Sequence, residues 1–173
     1  MFFVVTGGSG SGKSAFAEQC ILDCQGNNRI YIATMYPFDE ESHRRIARHR
    51  AMRAEKKFTT IERYTDLEHL TIPQGADVLL ECMSNLTANE LYDEAGNMNK
   101  PEKVKRQILE GIRHVIEKTD LLVIVTNEVQ GDQMEYSEET KIYQRVLGEV
   151  NQSLAGLAEK VTEVVYGIPE EIK

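Results

Sequence analysis

The sequence predicts an α/β layer: one domain over residues 1–173 with a mostly parallel, doubly wound sheet and helices on both faces. Three observations carry that prediction. The apolar runs Val78-Leu79-Leu80 and Leu121-Leu122-Val123-Ile124-Val125 are continuous rather than alternating, as in strands covered on both sides. Runs of this length alternate along the chain with longer segments of helical character. The first apolar run is followed by a glycine-rich stretch and then a helical one, as at the start of a βαβ unit.

The elements follow in order. Phe2-Phe3-Val4-Val5 stops at Gly7-Gly8 and reads as a buried strand. Ser14 to Cys24 reads as a helix, with Phe16, Cys20 and Cys24 at four-residue spacing on one stripe. Tyr31-Ile32-Ala33 is a second strand. Asp39 to Lys57 contains no Gly or Pro and places Ile46 and Arg50 on one face, which predicts a charged helix. The two long apolar runs are strands, separated by a polar turn over Asp93 to Pro101 and an amphipathic helix over Val104 to Glu117. A further helix over Ile142 to Leu157 leads to a last strand over Val161 to Tyr166.

Composition excludes several functions. With 41% hydrophobic and 28% charged residues in 173, the chain is ordinary for a globular domain able to bury a core without metal or disulfide support. Three cysteines, an odd number, do not make a disulfide framework and point to a reducing, cytoplasmic setting. The start MFFVVTGGSG lacks a basic n-region, and no apolar run approaches the roughly 18 residues of a membrane span. A net charge of −8 argues against binding nucleic acid. Within this acidic chain Arg44, Arg45, Arg48, Arg50, Arg53, Lys56 and Lys57 form a basic island opposed only by Glu55. By charge alone it is either a local anion site or a solvated helix face.

The sharpest local signal is Gly7-Gly8-Ser9-Gly10-Ser11-Gly12-Lys13-Ser14, which fits G-x-x-x-x-G-K-[ST] at every fixed position between a strand and a helix. Glycines let backbone N–H groups turn toward phosphate oxygens. Lys13 adds a cation for the β- and γ-phosphates, and the Ser14 hydroxyl is a ligand for Mg²⁺. The predicted fold is therefore P-loop NTPase-like. Its metal needs a carboxylate at the end of a neighbouring strand, and both Glu81 and Glu128 stand in such a place. Either residue can instead cap the next helix.

Further strings recur in a fixed order: Val5-Thr6-Gly7-Gly8, then Tyr31-Ile32-Ala33-Thr34, then Arg45-Ile46-Ala47-Arg48-His49-Arg50-Ala51-Met52-Arg53. Val78-Leu79-Leu80-Glu81-Cys82, Val125-Thr126-Asn127-Glu128-Val129 and Val150-Asn151-Gln152 complete them. In this order they resemble, nearly end to end, the bifunctional adenosylcobinamide kinase and adenosylcobinamide-phosphate guanylyltransferase family of cobalamin biosynthesis. The resemblance implies a homotrimeric transferase using ATP or GTP with Mg²⁺. It phosphorylates the aminopropanol hydroxyl of the corrinoid adenosylcobinamide, then passes GMP from GTP to that phosphate through a guanylylated histidine.

Carried over by motif, the nucleophile is His49 and the phosphate cation is Lys13. The nucleotide contacts are Gly7, Gly8, Ser9, Gly10, Ser11, Gly12, Lys13, Ser14, Ile32, Ala33, Thr34, Arg50, Ala51, Met52, Arg53, Glu62 and Glu81. Ser14 and Glu81 serve the metal. A neutral imidazole attacks phosphorus near neutral pH, and neighbouring arginines disfavour its protonation while stabilising departing pyrophosphate. His43, His69 and His114 lie outside the motif, and Cys20, Cys24 and Cys82 read as packing residues.

The chain departs from the family at Ser9-Gly10, where relatives commonly carry Ala-Arg, and at Phe58, where tryptophan is usual. It departs again over Gln130 to Tyr136, where relatives carry a Gly-x-Gly-Ile-Val-Pro-like loop. Two other functions remain compatible with a P-loop: a kinase of another small alcohol without guanylyl transfer, and a non-catalytic nucleotide-binding module.

Overall fold

A computed structural model of the chain describes all residues except 25, 27, 38, 39, 94 and 129–135. In α2 and the turn after it, the side chains of Ser42, Arg45, His49, Met52 and Ala54 are likewise outside the described set. The elements run β1 (Phe2–Thr6), α1 (Lys13–Leu22), β2 (Arg29–Ala33), α2 (Glu40–Arg53), β3 (Phe58–Glu62) and β4 (Ala76–Glu81). They continue α3 (Met83–Leu91), α4 (Pro101–Lys118), β5 (Thr119–Val125), α5 (Glu138–Leu157), β6 (Lys160–Val165) and β7 (Ile168–Glu171).

The seven strands form one sheet in the order β3-β2-β4-β5-β1-β6-β7, parallel except for the antiparallel β6–β7 pair. Alternate residues of the central strands enter two cores. Phe2, Val4, Ile30, Ile32, Val78 and Leu80 pack against α3, α4 and α5 on one face. Val5, Tyr31, Leu79, Val123 and Val125 pack against Ala17 and Ile21 of α1 on the other. The continuous apolar runs are thus strands covered from both sides, as expected. α4 begins at Pro101, whose fixed φ and missing N–H suit a first helical position, and α5 begins under Ser137, whose Oγ accepts the Thr140 N–H.

Some expectations shift. α1 ends at Leu22, so Cys24 lies beyond it, and its buried row is Lys13, Ala17, Glu18 and Ile21. Phe16, Cys20 and Cys24 instead pack partly buried along the flank of that core. The helix leaves the loop with Lys13 facing inward, and that fixes which row meets the sheet. The last strand stops at Val165, and Tyr166 turns the chain at φ +50 into β7. β3, α3 and β7 carry little apolar patterning because β3 and β7 lie at the sheet's two edges and α3 reads Met-Ser-Asn-Leu-Thr-Ala-Asn-Glu-Leu. Among the described residues no helix is long and apolar enough to cross a membrane.

Candidate functional site

The glycine-rich loop joins β1 to α1 at the carboxyl edge of the sheet, where ligands bind in open α/β folds. Gly10 and Gly12 adopt φ +72 and +93, backbone angles that favour glycine. Gly7 has φ +146, and a Cβ there would lie 2.5 Å from the Val164 carbonyl oxygen. The loop is also held from behind, since Gly167 N–H donates to the Ser11 carbonyl at 2.7 Å. A side chain at position 7 would therefore push the loop off β6.

Lys13 is 8% exposed, and its Nζ donates to the Gly8 carbonyl at 2.8 Å. Burial pushes its pKa below the ordinary lysine value, while the nearby Glu81 carboxylate opposes that shift. Ser14 Oγ donates to Glu81 Oε1 at 2.5 Å, and the Tyr31 hydroxyl donates to Glu81 Oε2 at 2.9 Å. Glu81 reaches this point because β4 lies two strands from β1, with Val125 of β5 paired to both Glu81 and Val5. Of the two carboxylates left open by the sequence, Glu81 is the one bonded to Ser14. Glu128 is exposed on the rim of the same cleft.

That cleft has a volume of about 750 Å³ and extends from the loop to α2 and β3. Ile46, Arg48, Arg50 and Arg53 of α2 line it, so three arginines of the basic island face the cleft. Arg50 is ion-paired with Glu62, which also accepts the Tyr64 hydroxyl at 3.0 Å. Arg53 is 5% exposed, and its guanidinium carbon lies 3.3 Å from the Tyr31 ring centroid. Among the described residues its Nε and Nη1 have no hydrogen-bond partner.

The structure sorts the expected contacts. Ser9 to Ser14, Ala33, Arg50, Arg53, Glu62 and Glu81 come together around the cleft. Gly7 and Gly8 shape the loop behind it. Ile32 does not face the cleft: it is fully buried in the core under α3, α4 and α5. Thr34 is also fully buried, its Oγ1 accepting the Cys82 N–H at 2.7 Å and donating to the Cys82 carbonyl at 2.8 Å. Ala51 is exposed on α2. His49 belongs to α2, but its side chain and that of Met52 lie outside the described set, as do residues 130–135 of the divergent loop.

Several lining residues were not among the expected contacts, Tyr31, Ser84, Asn85 and Asn127 among them. Asn127 Nδ2 donates to Ser84 Oγ at 2.7 Å, and Ser84 Oγ lies 2.9 Å from Cys82 Sγ, which ties the ends of β4 and β5 together. The Cys82 thiol is pushed above its ordinary value by burial and is a neutral packing group, as expected. Period-two alternation places Tyr31 on the same face as Ala33, the one available signal for it.

Chemically, a loop of backbone N–H groups, a desolvated lysine and a hydroxyl–carboxylate pair suit a phosphate chain with a hard divalent cation. Among the described residues no cluster of three or more metal-ligating side chains exists.

Residues 3–172 match the family model described as cobinamide kinase / cobinamide phosphate guanyltransferase. The chain is 35% identical over 184 residues to the bifunctional adenosylcobalamin biosynthesis protein CobU of Escherichia coli K12, covering 100% of both chains. It is 34% identical over 185 residues to CobU of Salmonella typhimurium LT2, again covering 100% of both. A third relative, the bifunctional adenosylcobalamin biosynthesis protein CobP of Pseudomonas aeruginosa PAO1, is 28% identical over 173 residues, covering 98% of this chain and 96% of the relative.

Proposed function

Because the chain belongs to the cobinamide kinase / cobinamide phosphate guanyltransferase family, a family of transferases, we propose that it carries out both reactions in this one cleft. The single observation behind this reading is the continuity of the cavity. The Lys13–Ser14–Glu81 cluster at one end and the arginines of α2 at the other line the same space.

In the first reaction the corrinoid's aminopropanol hydroxyl oxygen attacks the γ-phosphorus of ATP or GTP. The bond to the bridging oxygen breaks, the nucleoside diphosphate leaves and the hydroxyl proton is lost to solvent or base. Backbone N–H groups of Ser9 to Ser14 and the Lys13 ammonium hold the transferring phosphoryl group and its charge. The Ser14 hydroxyl donates its hydrogen bond to Glu81, which would leave its oxygen lone pairs free for Mg²⁺. Glu81 is then a carboxylate behind the ligand rather than a rival for it. When bound, Mg²⁺ supplies neutralisation of charge on the phosphate oxygens.

In the second reaction an imidazole nitrogen of His49 attacks the α-phosphorus of GTP and pyrophosphate leaves. The phosphate of the first product then attacks the same phosphorus and releases the imidazole, giving adenosylcobinamide-GDP. Arg48, Arg50 and Arg53 supply positive charge along this end of the cleft. A homotrimer is the assembly this reading carries with it, and light scattering of the purified chain tests it.

The deciding experiment is incubation with adenosylcobinamide, Mg²⁺ and GTP labelled at the α-phosphate, followed by mass analysis. Labelled protein together with a GDP-linked corrinoid is the expected outcome. Phosphorylated corrinoid with no label on the protein would reduce the chain to a kinase.

A further inference from the structure

We propose that Tyr31 is a positioning residue that sets the affinity of the nucleotide site for its divalent cation, by holding Glu81 in the orientation that engages Ser14. This rests on reading the cleft as a Mg²⁺–nucleotide site. A glutamate carboxylate rotates freely about its last bond unless both oxygens are engaged. Here Oε1 accepts from Ser14 and Oε2 accepts from the Tyr31 hydroxyl at 2.9 Å. Tyr31 can hold the carboxylate because it is itself held: it is 4% exposed, paired in β2 between Thr60 of β3 and Leu79 of β4. Phe58 meets its ring at 81°, with centroids 6.4 Å apart.

The same ring carries Arg53. Its guanidinium lies against the ring face, buried, with Nε and Nη1 unpartnered among the described residues. A cation over the ring makes the phenol a stronger donor, and the phenol's bond to Glu81 fixes the platform on which Arg53 rests. Arg53, Tyr31, Glu81 and Ser14 therefore form one chain of contacts from the α2 end of the cleft to the phosphate loop. A tyrosine hydroxyl, rather than a second carboxylate or an amide, suits the link because it donates and adds no charge beside Glu81.

The test is equilibrium binding of a fluorescent GTP analogue to wild type and to Tyr31→Phe, with excess EDTA and across a Mg²⁺ titration. The variant keeps the ring, the Phe58 contact and the Arg53 stack, and far-UV circular dichroism with a thermal melt checks its fold. Expected is metal-free affinity within about twofold of wild type, with the gain in affinity on adding Mg²⁺ reduced roughly tenfold, as for loss of a hydrogen bond to a charged group. Glu81→Gln should lose the same gain, and the double variant should lose no more than Glu81→Gln alone. An unchanged Mg²⁺ response in Tyr31→Phe overturns the role of Tyr31 while leaving the cleft assignment intact. An equal loss with and without Mg²⁺, or an unfolded variant, shows a merely structural tyrosine and overturns it as well. A wild-type protein whose nucleotide affinity ignores Mg²⁺ overturns both readings.

Discussion

Thr34 offers a stringent test of how the site is held together, because two isosteric changes separate its hydroxyl from its bulk. The side chain is fully buried and bridges β2 to the residue after β4, with Oγ1 2.7 Å from the Cys82 nitrogen and 2.8 Å from the Cys82 oxygen. Thr34→Val keeps the volume and removes both bonds. The Cys82 carbonyl retains the Leu86 N–H at 3.2 Å, whereas the Cys82 N–H loses the only acceptor seen among the described residues. One orphaned buried donor costs about 1–3 kcal/mol. At about 2–4 °C per kcal/mol for a chain of this size, Tm falls by roughly 2–12 °C. Thr34→Ser keeps the hydroxyl and loses one buried methyl, a change of about 1 kcal/mol. Urea unfolding and calorimetry of the three proteins should rank wild type above Ser and Ser above Val. Nucleotide affinity should weaken in Val more than in Ser, since the Thr34 N–H also holds the Glu81 carbonyl at 3.1 Å. A Val variant as stable as Ser, or more so, would refute the clamp.

Lys13→Ala removes the ammonium from the loop and should weaken nucleotide binding roughly 10- to 100-fold, with loss of both transfer reactions, as read by equilibrium binding and product mass. His49→Ala should abolish the acid-labile GMP adduct and adenosylcobinamide-GDP while leaving corrinoid phosphorylation in place; an adduct that survives the substitution would remove His49 from the mechanism. His69 shares a 2.6 Å contact with Asp66, whose hydrogen bond and charge raise its pKa above the ordinary 6.5. The folded chain thus holds that proton more tightly than the unfolded one, so the stabilisation is complete below about pH 6.5 and fades as pH rises through the folded pKa. Proton NMR titration should show the raised value, and Asp66→Asn, which tolerates the φ of +57 at that position, should return it toward 6.5.

The legible parts of the molecule were those written locally. The phosphate loop is a spelling of fixed positions, and β4 and β5 declare themselves as unbroken apolar runs because both their faces are covered. The edge strand Phe58–Glu62 was invisible because its exposed positions are two threonines and a glutamate, which leave no run of apolar residues. By position Glu81 and Glu128 stood equal, each after an apolar strand, and only the family resemblance preferred Glu81. Strand order separates them, since only the fold shows which carboxylate meets Ser14. The role of Tyr31 depends on β2, β4 and α2 converging, and no spacing in the chain encodes that meeting. Ile32 shows the converse: its string matched a site motif, yet strand alternation turns its side chain to the opposite face.

The brace behind the phosphate loop has a consequence for how the protein is made. The loop leaves the ribosome well before the groups that back it, the Val164 carbonyl and the Gly167 N–H. Contacts between such distant parts of a chain close late, after the loss of entropy in joining them. A growing chain therefore carries a complete nucleotide motif without a complete nucleotide site. Ligand binding stabilises only a state that can bind, so under the proposed function a nucleotide offers no help until those later residues have joined the loop. Nucleotide supply would then govern how long finished molecules last rather than how many chains reach the folded state.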